Sequence, residues 1–229
     1  MCSNHLKRLS APKTWQIKRK GIKFITKPSP GTHRLESSIS LNTLMKEVLG
    51  YATTTREVKK IINTCGVKID GRARKDRRFP VGIFDTIEFP STDEYFRAFL
   101  NKKGKIDIVK IGKEDSMIKP CKIIGKRMVD GRMQINLFDG KNIFTNDKSF
   151  KVGDSVLISL KDWKIMGHLK LAKKSTIFLT SGKHIGDLGN VEDVINNRII
   201  YKNKDNEIVE TLKEYAFVIG EGKPSISLQ

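Results

Sequence analysis

Residues 54–80 read TTREVKKIINTCGVKIDGRARKDRRFP, a stretch that joins the pattern of a capped helix to that of a tight basic hairpin. Its first four residues, from Thr54 to Glu57, match the capping-box pattern S/T-x-x-E. An apolar stripe at helical spacing follows, formed by Val58, Ile61, Ile62 and Cys65. Gly66 then suits the end of the helix, so the pattern predicts one short amphipathic helix.

A short hairpin is predicted directly after this helix. Residues 67–69 alternate like a strand, and Asp70-Gly71 is a tight-turn signal. The turn leads into a dense basic run, whose cations are Arg72, Arg74, Lys75, Arg77 and Arg78. The helix and the strand supply further cations, namely Arg56, Lys59, Lys60 and Lys68. Three cations on a helix alone are ordinary solvated residues, but the adjoining basic hairpin favours one cationic surface for phosphates and base edges.

The whole chain is strongly basic. It has 229 residues, with 44 Lys+Arg against 25 Asp+Glu and a net charge of +19. So many like charges repel one another in the compact state, which is tolerated most easily when a polyanion neutralises them. Nucleic acid is therefore favoured over an anionic membrane as the partner. No uncharged stretch is long enough to span a bilayer, and no signal peptide is expected. Three cysteines, Cys2, Cys65 and Cys121, show no pairing pattern, which favours a reducing cytoplasm.

The charge is unevenly distributed over four predicted segments. An extension (residues 1–40) carries +8, a helix–hairpin domain (41–105) +6, a central β domain (106–174) +7, and a C-terminal β domain with its tail (175–229) −2. The RNA-facing surface is therefore expected mainly in the first three segments. Within the second, Leu41 to Leu49 show the spacing of an additional helix that Gly50 would end.

The extension is expected to be poorly ordered alone and to become ordered on RNA. Prolines and Gly31 interrupt it, and its apolar residues lack a sustained period. Trp15 interleaved with cations suits phosphate contact combined with packing or stacking. The cations predicted to contact RNA here are Lys7, Arg8, Lys13, Lys18, Arg19 and Lys20.

The last two segments have the pattern of β domains. Short apolar runs, the first at residues 106–109, alternate with turn signals such as Asp130-Gly131. Residues 175–179 form another apolar strand pattern, and a glycine-rich stretch follows at 180–190. This stretch resembles a KOW motif, a strand–loop–strand piece of an SH3-like barrel. The alternative is a plain hairpin with glycines for its turns, but the position after the basic hairpin favours the KOW motif. Within the loop, Lys183 and His184 are the predicted RNA contacts.

Three parts of the chain together resemble the e-type family of small-subunit ribosomal protein four. They are the opening His5-Leu6-Lys7-Arg8-Leu9-Ser10-Ala11-Pro12-Lys13, the helix–hairpin run at 55–72, and Phe79-Pro80-Val81-Gly82-Ile83-Phe84-Asp85. The resemblance implies an αL-type RNA-binding module, a small central β domain and an SH3-like KOW barrel after the basic extension. The fold class expected is α+β, mostly β.

Motifs of nucleotide, metal or nucleophile chemistry are missing from the sequence. It contains no phosphate-binding loop, no dinucleotide fingerprint, no His-Glu-x-x-His, no Cys-x-x-Cys and no Gly-x-Ser-x-Gly. The isolated histidines, His5, His33, His168 and His184, are predicted to be surface or phosphate-contacting groups. We therefore expect no catalytic residues, no metal and no cofactor.

These observations favour a non-enzymatic structural component of the small ribosomal subunit. Its expected partners are small-subunit ribosomal RNA and neighbouring ribosomal proteins, with no membrane and no small-molecule substrate. Its expected location is the cytoplasmic ribosome. Two alternatives stay open at this point: a free RNA-binding factor, and an RNA-modifying enzyme such as a pseudouridine synthase. The latter would need a larger catalytic domain with an acidic nucleophile than this chain has room for.

Overall fold

The computed structural model describes residues 5–147, 149–204 and 206–227, which are mostly β with a few short helices. They divide into two compact units. The first unit extends to Leu100 and includes Gly104–Met117, whereas the second includes Asn101–Lys103 and continues from Ile118. The prediction of a mostly β fold with few helices is confirmed.

The first unit combines antiparallel strands with short helices. Its regular elements are β1 (Leu6–Lys7), β2 (Phe24–Ile25), β3 (Ser38–Ser40), α1 (Leu41–Thr43), α2 (Thr55–Cys65), β4 (Lys68–Ile69), β5 (Arg72–Ala73), β6 (Pro80–Gly82), β7 (Thr86–Phe89), β8 (Glu94–Leu100), β9 (Ile106–Lys110) and α3 (Lys113–Ser116). A five-stranded sheet has the order β5-β4-β7-β8-β9, while β1 pairs with β2 and β3 with β6. Turns of 3-10 helix lie at Arg8–Ser10 and Leu35–Ser37.

The helix predicted from Leu41 to Leu49 is an α turn that passes into a wider π turn. After α1, residues Leu44–Val48 form a π-helix, in which the Leu49 amide donates to the Leu44 carbonyl at 3.0 Å. Leu41, Leu44 and Met45 are buried, as the periodicity predicts. The wider turn rotates Val48 and Leu49 away from the face that these three residues form, and both are only half-buried. The prediction of one regular α-helix is therefore corrected.

The capped helix α2 is confirmed. The Thr54 side chain accepts a hydrogen bond from the Glu57 amide at 3.3 Å, and the Glu57 carboxylate accepts from the Thr54 amide at 3.2 Å. Val58 and Ile62 are buried beneath the helix. Gly66 ends it with φ +65°, a left-handed conformation that favours glycine.

The reciprocal cap predicts a measurable loss of stability when it is broken. Thr54→Ala should lower the free energy of unfolding by about 1 kcal/mol, because the Glu57 amide loses its acceptor. Thr55→Ala, one residue further and outside the cap, should not lower it. Urea unfolding of both variants checks this, and equal midpoints would contradict the role of the cap.

The same cap gives the stability an acid dependence. Hydrogen bonds from the backbone of Thr53 and from Thr54 lower the pKa of Glu57 from 4.5 to about 2. Because the folded pKa is depressed, the stabilisation is present above pH 4.5 and is lost as pH falls toward 2. Glu57→Gln should flatten this part of the stability profile.

The predicted hairpin is also present. Lys68 pairs with Ala73 and Ile69 with Arg72, and the two residues between the strands, Asp70 and Gly71, both have positive φ. Two such residues form the tight turn that matches strand twist. The basic hairpin therefore follows directly from local turn chemistry.

The apolar run at residues 106–109 lies in the first unit. It forms β9, which pairs with β8 from Phe96 opposite Lys110 to Leu100 opposite Ile106. The predicted boundary between residues 105 and 106 consequently does not coincide with the division between the two units, which lies after Met117. Alternation identifies a strand, but it does not identify the partner of that strand.

The second unit contains two antiparallel sheets. Its strands are β10 (Ile118–Val129), β11 (Arg132–Leu137), β12 (Asn142–Thr145), β13 (Ser155–Ser159), β14 (Ile165–Leu169), β15 (Ser175–Leu179), β16 (Leu188–Ile195), β17 (Arg198–Asn203), β18 (Ile208–Leu212), β19 (Ala216–Glu221) and β20 (Lys223–Pro224). The sheet orders are β12-β11-β10-β13-β14 and β18-β17-β16-β15-β19-β20. One apolar core lies around Ile123, Ile135 and Val156, and another around Ile177, Ile199 and Val218.

A half-buried lysine connects the two sheets of the second unit. The Lys122 ammonium on β10 donates to the carbonyls of Glu214 at 2.6 Å and Ala216 at 2.7 Å, at the start of β19. It also donates to the Lys213 carbonyl at 3.3 Å. Burial lowers the pKa of Lys122 from 10.5 to about 8. The side chain therefore serves the internal structure and not the charged surface.

Lys122→Ala should lower the free energy of unfolding of the second unit by about 2 kcal/mol, because these carbonyls lose their donor. In the wild type, stability should rise from about pH 8 toward pH 10.5, because the unfolded chain binds the proton more tightly over that range. Lys173→Ala is the matched control: its pair with Asp193 is exposed, so a loss below about 0.5 kcal/mol is expected. Denaturant titrations across pH test both statements.

Candidate nucleic-acid interface

The cations of the extension fall into two groups. Lys7, Lys13, Lys18 and Lys20 are exposed, as an RNA contact requires. Arg8 is buried, and its guanidinium donates to the Glu47 carboxylate and to the Lys18 carbonyl, both at 2.8 Å. The predicted RNA contact by Arg8 is corrected on this ground, because a buried and paired guanidinium is not available to phosphates.

Arg19 also acts within the extension. Its guanidinium donates to the carbonyls of Ala11 at 2.5 Å and Pro12 at 2.7 Å, and the side chain is half-buried. These bonds close the loop between β1 and β2. Arg19 therefore has a structural role within the extension, and its predicted contact with RNA stays a prediction.

Trp15 anchors the extension to the first unit. Its side chain is 1% exposed, and its indole N–H donates to the Ser38 carbonyl at 2.6 Å. The Ile106 amide of β9 donates to the Thr14 carbonyl at 2.7 Å. Packing and stacking were the two roles predicted for Trp15. The buried side chain packs within the first unit and is not exposed for stacking on a base. The described part of the extension, from residue 5, therefore packs on the first unit. The expectation was of a segment that is poorly ordered alone.

The exposed face of α2 carries three cations. Arg56, Lys59 and Lys60 lie opposite the buried Val58 and Ile62. Within the described ranges, none of the three side chains makes an ion pair. Their charges are thus available to an anionic partner.

The basic loop, residues 74–78, is held in place by backbone hydrogen bonds. The Ser29 amide donates to the Arg78 carbonyl at 2.8 Å, and the Asn42 amide donates to the Arg77 carbonyl at 2.9 Å. The Asp76 carboxylate accepts from the Arg78 amide at 2.8 Å. A loop fixed at several points presents its cations at little entropic cost on binding.

The side chains around this loop differ in their availability. Arg72, Lys75 and Arg78 are exposed, and Arg77 is half-buried. The Arg74 guanidinium lies 4.2 Å from the centroid of the Phe79 ring, so this arginine also packs the loop. Lys68 is half-buried, with its ammonium 3.6 Å from the Glu88 carboxylate.

A cavity of about 380 Å³ lies between the extension and the basic loop. Lys27, Ser29, His33 and Arg78 are among its lining residues. The Pro28-Ser29-Pro30 segment that forms one wall was visible in the sequence only as an interruption of regular structure. Lys27 lines this cavity together with Arg78 and is a cation that the sequence did not single out as an RNA contact.

The remaining predicted contacts, Lys183 and His184, lie in the second unit, on the loop between β15 and β16. Lys183 is exposed, and the His184 ring lies 3.6 Å from the Asp187 carboxylate. Gly186 is required in this loop: its φ is +82°, and a Cβ there would lie 2.5 Å from the Asn101 carbonyl oxygen. Lys183 is therefore the more available of the two groups.

Comparison with known proteins identifies the family. The family model described as "RS4NT (NUC023) domain" matches residues 2–36, and the one described as "Ribosomal family S4e" matches residues 92–165. A small ribosomal subunit protein eS4 from Methanococcus maripaludis is 38% identical to this chain, over 98% of this chain and 97% of its own length. The chain belongs to the S4e family of ribosomal proteins. The eS4 protein of Methanocaldococcus jannaschii is 36% identical over the same shares.

A solved structure of the S4e family has the same fold. The crystal structure of 30S ribosomal protein S4e from Thermoplasma acidophilum matches with a TM-score of 0.71 and 29% identity. The match covers 82% of this chain and 98% of that one. Membership of the S4e family indicates a structural protein and not an enzyme. The resemblance derived from the sequence is therefore confirmed.

Two histidines pair with carboxylates, whereas all four were predicted to be surface or phosphate-contacting groups. His33 is buried, with its Nε2 3.0 Å from the Asp85 carboxylate, and the His168 Nε2 lies 2.8 Å from the Asp154 carboxylate. Each carboxylate also accepts from a backbone amide, so these pairs fix turns of the fold. Over residues 5–147, 149–204 and 206–227, no cluster of side chains suited to a metal ion occurs. No helix there has the length and apolar character needed to cross a bilayer.

Proposed function

We propose that this chain is a structural constituent of the small ribosomal subunit that binds and stabilises ribosomal RNA. The observation that carries the proposal is similarity, over nearly the whole chain, to proteins named small ribosomal subunit protein eS4. Its partners are ribosomal RNA and neighbouring ribosomal proteins, and its place is the ribosome in the cytoplasm. Family membership disfavours the alternatives of a free RNA-binding factor and of an RNA-modifying enzyme.

The main RNA-binding surface is the exposed face of α2 together with the β4–β5 hairpin and the basic loop. It corresponds to the αL-type module implied by the family resemblance. Support comes from the exposed Arg56, Lys59 and Lys60 on the helix, and from Arg72, Lys75 and Arg78 around the hairpin. Arg74, Arg77 and Lys68 reinforce the surface from half-buried positions. Neutralising several phosphates at once gives such a surface its affinity.

The other segments contribute further contacts. The exposed lysines of the extension, Lys7, Lys13, Lys18 and Lys20, reach a neighbouring RNA segment. Of the predicted central β domain (106–174), residues 118–174 lie in the second unit and act as this domain. Residues 175–229 act as the KOW domain with its tail. Lys183 and His184, on a glycine-containing loop between two strands, are the KOW contacts.

A competition experiment tests this function. Full-length protein is titrated into labelled small-subunit ribosomal RNA in the presence of excess transfer RNA, and the retained complex is measured on filters. We expect the complex to survive the competitor, because a folded basic surface selects RNA shape as well as charge. Displacement in proportion to the phosphate that the excess transfer RNA adds would show binding by charge alone and would contradict the proposal. Large-subunit RNA serves as the control.

A further inference from the structure

The outward face of strands β10, β11 and β12 has an unusual composition for a solvated sheet. Along β11, Met133, Ile135 and Leu137 are buried, so the alternate residues Arg132, Gln134 and Asn136 point outward. On β12, Ile143 packs against the core of the sheet, which places its neighbours Asn142 and Phe144 on the outward side. Phe144 is 56% exposed.

Strand pairing brings these outward residues into two rows. Arg127 of β10 is opposite Gln134 of β11, which is opposite Phe144 of β12. The next row contains Asn136 opposite Asn142, with Gly125 on the other side of Asn136. Directly opposed residues on one face of a sheet have Cβ atoms about 5 Å apart. We call the six side chains Arg127, Arg132, Gln134, Asn136, Asn142 and Phe144 the amide–aromatic face.

The polar groups of this face are available to a ligand. The Gln134 amide donates to the Asn136 side-chain oxygen at 3.0 Å, which aligns two amides along the strand. In the described parts of the chain, the side chains of Arg127 and Arg132 make no ion pair, and the Phe144 ring stacks on no other ring. A Cβ at position 125 would lie 3.6 Å from the Asn136 amide nitrogen. Because this residue is a glycine, the surface beside Asn136 is open to a ligand.

We propose that the amide–aromatic face binds an unpaired RNA strand, with one base stacked on Phe144. The amides of Gln134, Asn136 and Asn142 donate to and accept from base edges, and Arg127 and Arg132 contact the flanking phosphates. An exposed aromatic ring beside arginines and amides on a sheet is the arrangement by which β-sheet surfaces recognise single strands. This inference rests on the proposed function, because it takes the partner to be RNA, but it concerns a separate surface in the second unit.

Charge and shape favour an unpaired RNA strand over other occupants. The six residues include two cations and no acid, and residues 106–174 carry a net charge of +7, so a polyanion is favoured over a protein. A duplex keeps its bases stacked internally and would leave the Phe144 ring without a partner. Amide side chains, which both donate and accept, match base edges better than they match phosphates.

The test measures binding of the full chain to a fluorescent, unstructured RNA of about 12 nucleotides composed of A and C, which matches the site size of sheet surfaces. Phe144→Ala should weaken this binding by about tenfold, which is the loss expected for one stacked base. Phe144→Tyr keeps the ring and should retain wild-type affinity. Met166→Ala removes another exposed apolar side chain, on β14, and should change nothing. Arg127→Gln should reduce the salt slope by about 0.7.

The outcomes separate this inference from the proposed function. An unchanged affinity for Phe144→Ala, with an unchanged melting temperature, would overturn the stacking site. The stacking site would also be overturned if Phe144→Ala lost equal affinity for the single strand and for a duplex of the same length. In either case the proposed function would stand if Lys75→Gln with Arg78→Gln still weakened binding to ribosomal RNA. Selective loss for the single strand, restored by tyrosine, is the result we expect.

Discussion

Replacing Lys75 and Arg78 together by glutamine is expected to lower the affinity for ribosomal RNA by roughly 10- to 100-fold at about 0.1 M salt. Both side chains are exposed, and the loop that bears them is fixed by backbone hydrogen bonds and by the Asp76 carboxylate. Binding releases about one counterion for each phosphate contact. Losing two contacts should therefore reduce the magnitude of the slope of log affinity against log salt by about two.

The choice of these two residues follows from the geometry of the loop. Arg74 was an equally good candidate in the sequence, but its guanidinium packs on the Phe79 ring, so a charge change there would also disturb the loop. Lys161→Gln with Lys164→Gln is the matched control, because it removes the same charge from exposed positions in the second unit. Equal losses of affinity and slope in both double variants would show that net charge, and not the basic loop, determines binding.

Trp15→Ala is expected to lower the free energy of unfolding of the first unit by about 3–5 kcal/mol. The indole is 1% exposed and its N–H is bonded to the Ser38 carbonyl, so truncation leaves both a cavity and an unpaired acceptor. A loss of this size is a large part of the stability of an ordinary domain, about 5–15 kcal/mol. Chemical unfolding, followed by circular dichroism, measures it.

Phe24→Ala provides the control for this prediction, because it removes another aromatic ring from the same extension. Phe24 is 48% exposed, so its truncation should change the unfolding free energy by no more than about 0.5 kcal/mol. Wild-type stability in the Trp15→Ala variant would mean that the extension is a detachable arm. That result would restore the interpretation that composition alone suggested.

Local signals in the sequence predicted the elements that local chemistry determines. The capping box at Thr54 and Glu57 specifies the start of α2, because both hydrogen bonds lie within four residues of each other. Asp70-Gly71 likewise specifies the β4–β5 turn, because both positions need positive φ. The exposed cations of α2 follow from the same periodicity that buries Val58 and Ile62.

Tertiary partners were not predictable in the same way. Arg8 resembles its basic neighbours in the sequence, and only the fold brings it to Glu47, 39 residues away. Lys122 is equally ordinary in the sequence, yet it binds carbonyls more than 90 residues further along the chain. The amide–aromatic face depends on strand register, which places Arg127 and Phe144 on either side of Gln134. A composition count treats all of these side chains alike.

Sedimentation of native lysate tests whether this chain is a constituent of the small ribosomal subunit. The chain is followed by mass spectrometry across a sucrose gradient, first at low and then at high salt. We expect stoichiometric migration with the small ribosomal subunit at both salt concentrations, because many phosphate contacts and a folded surface hold the protein in place. Migration in light fractions, or release at modest salt, would contradict a structural role and would indicate a free RNA-binding factor.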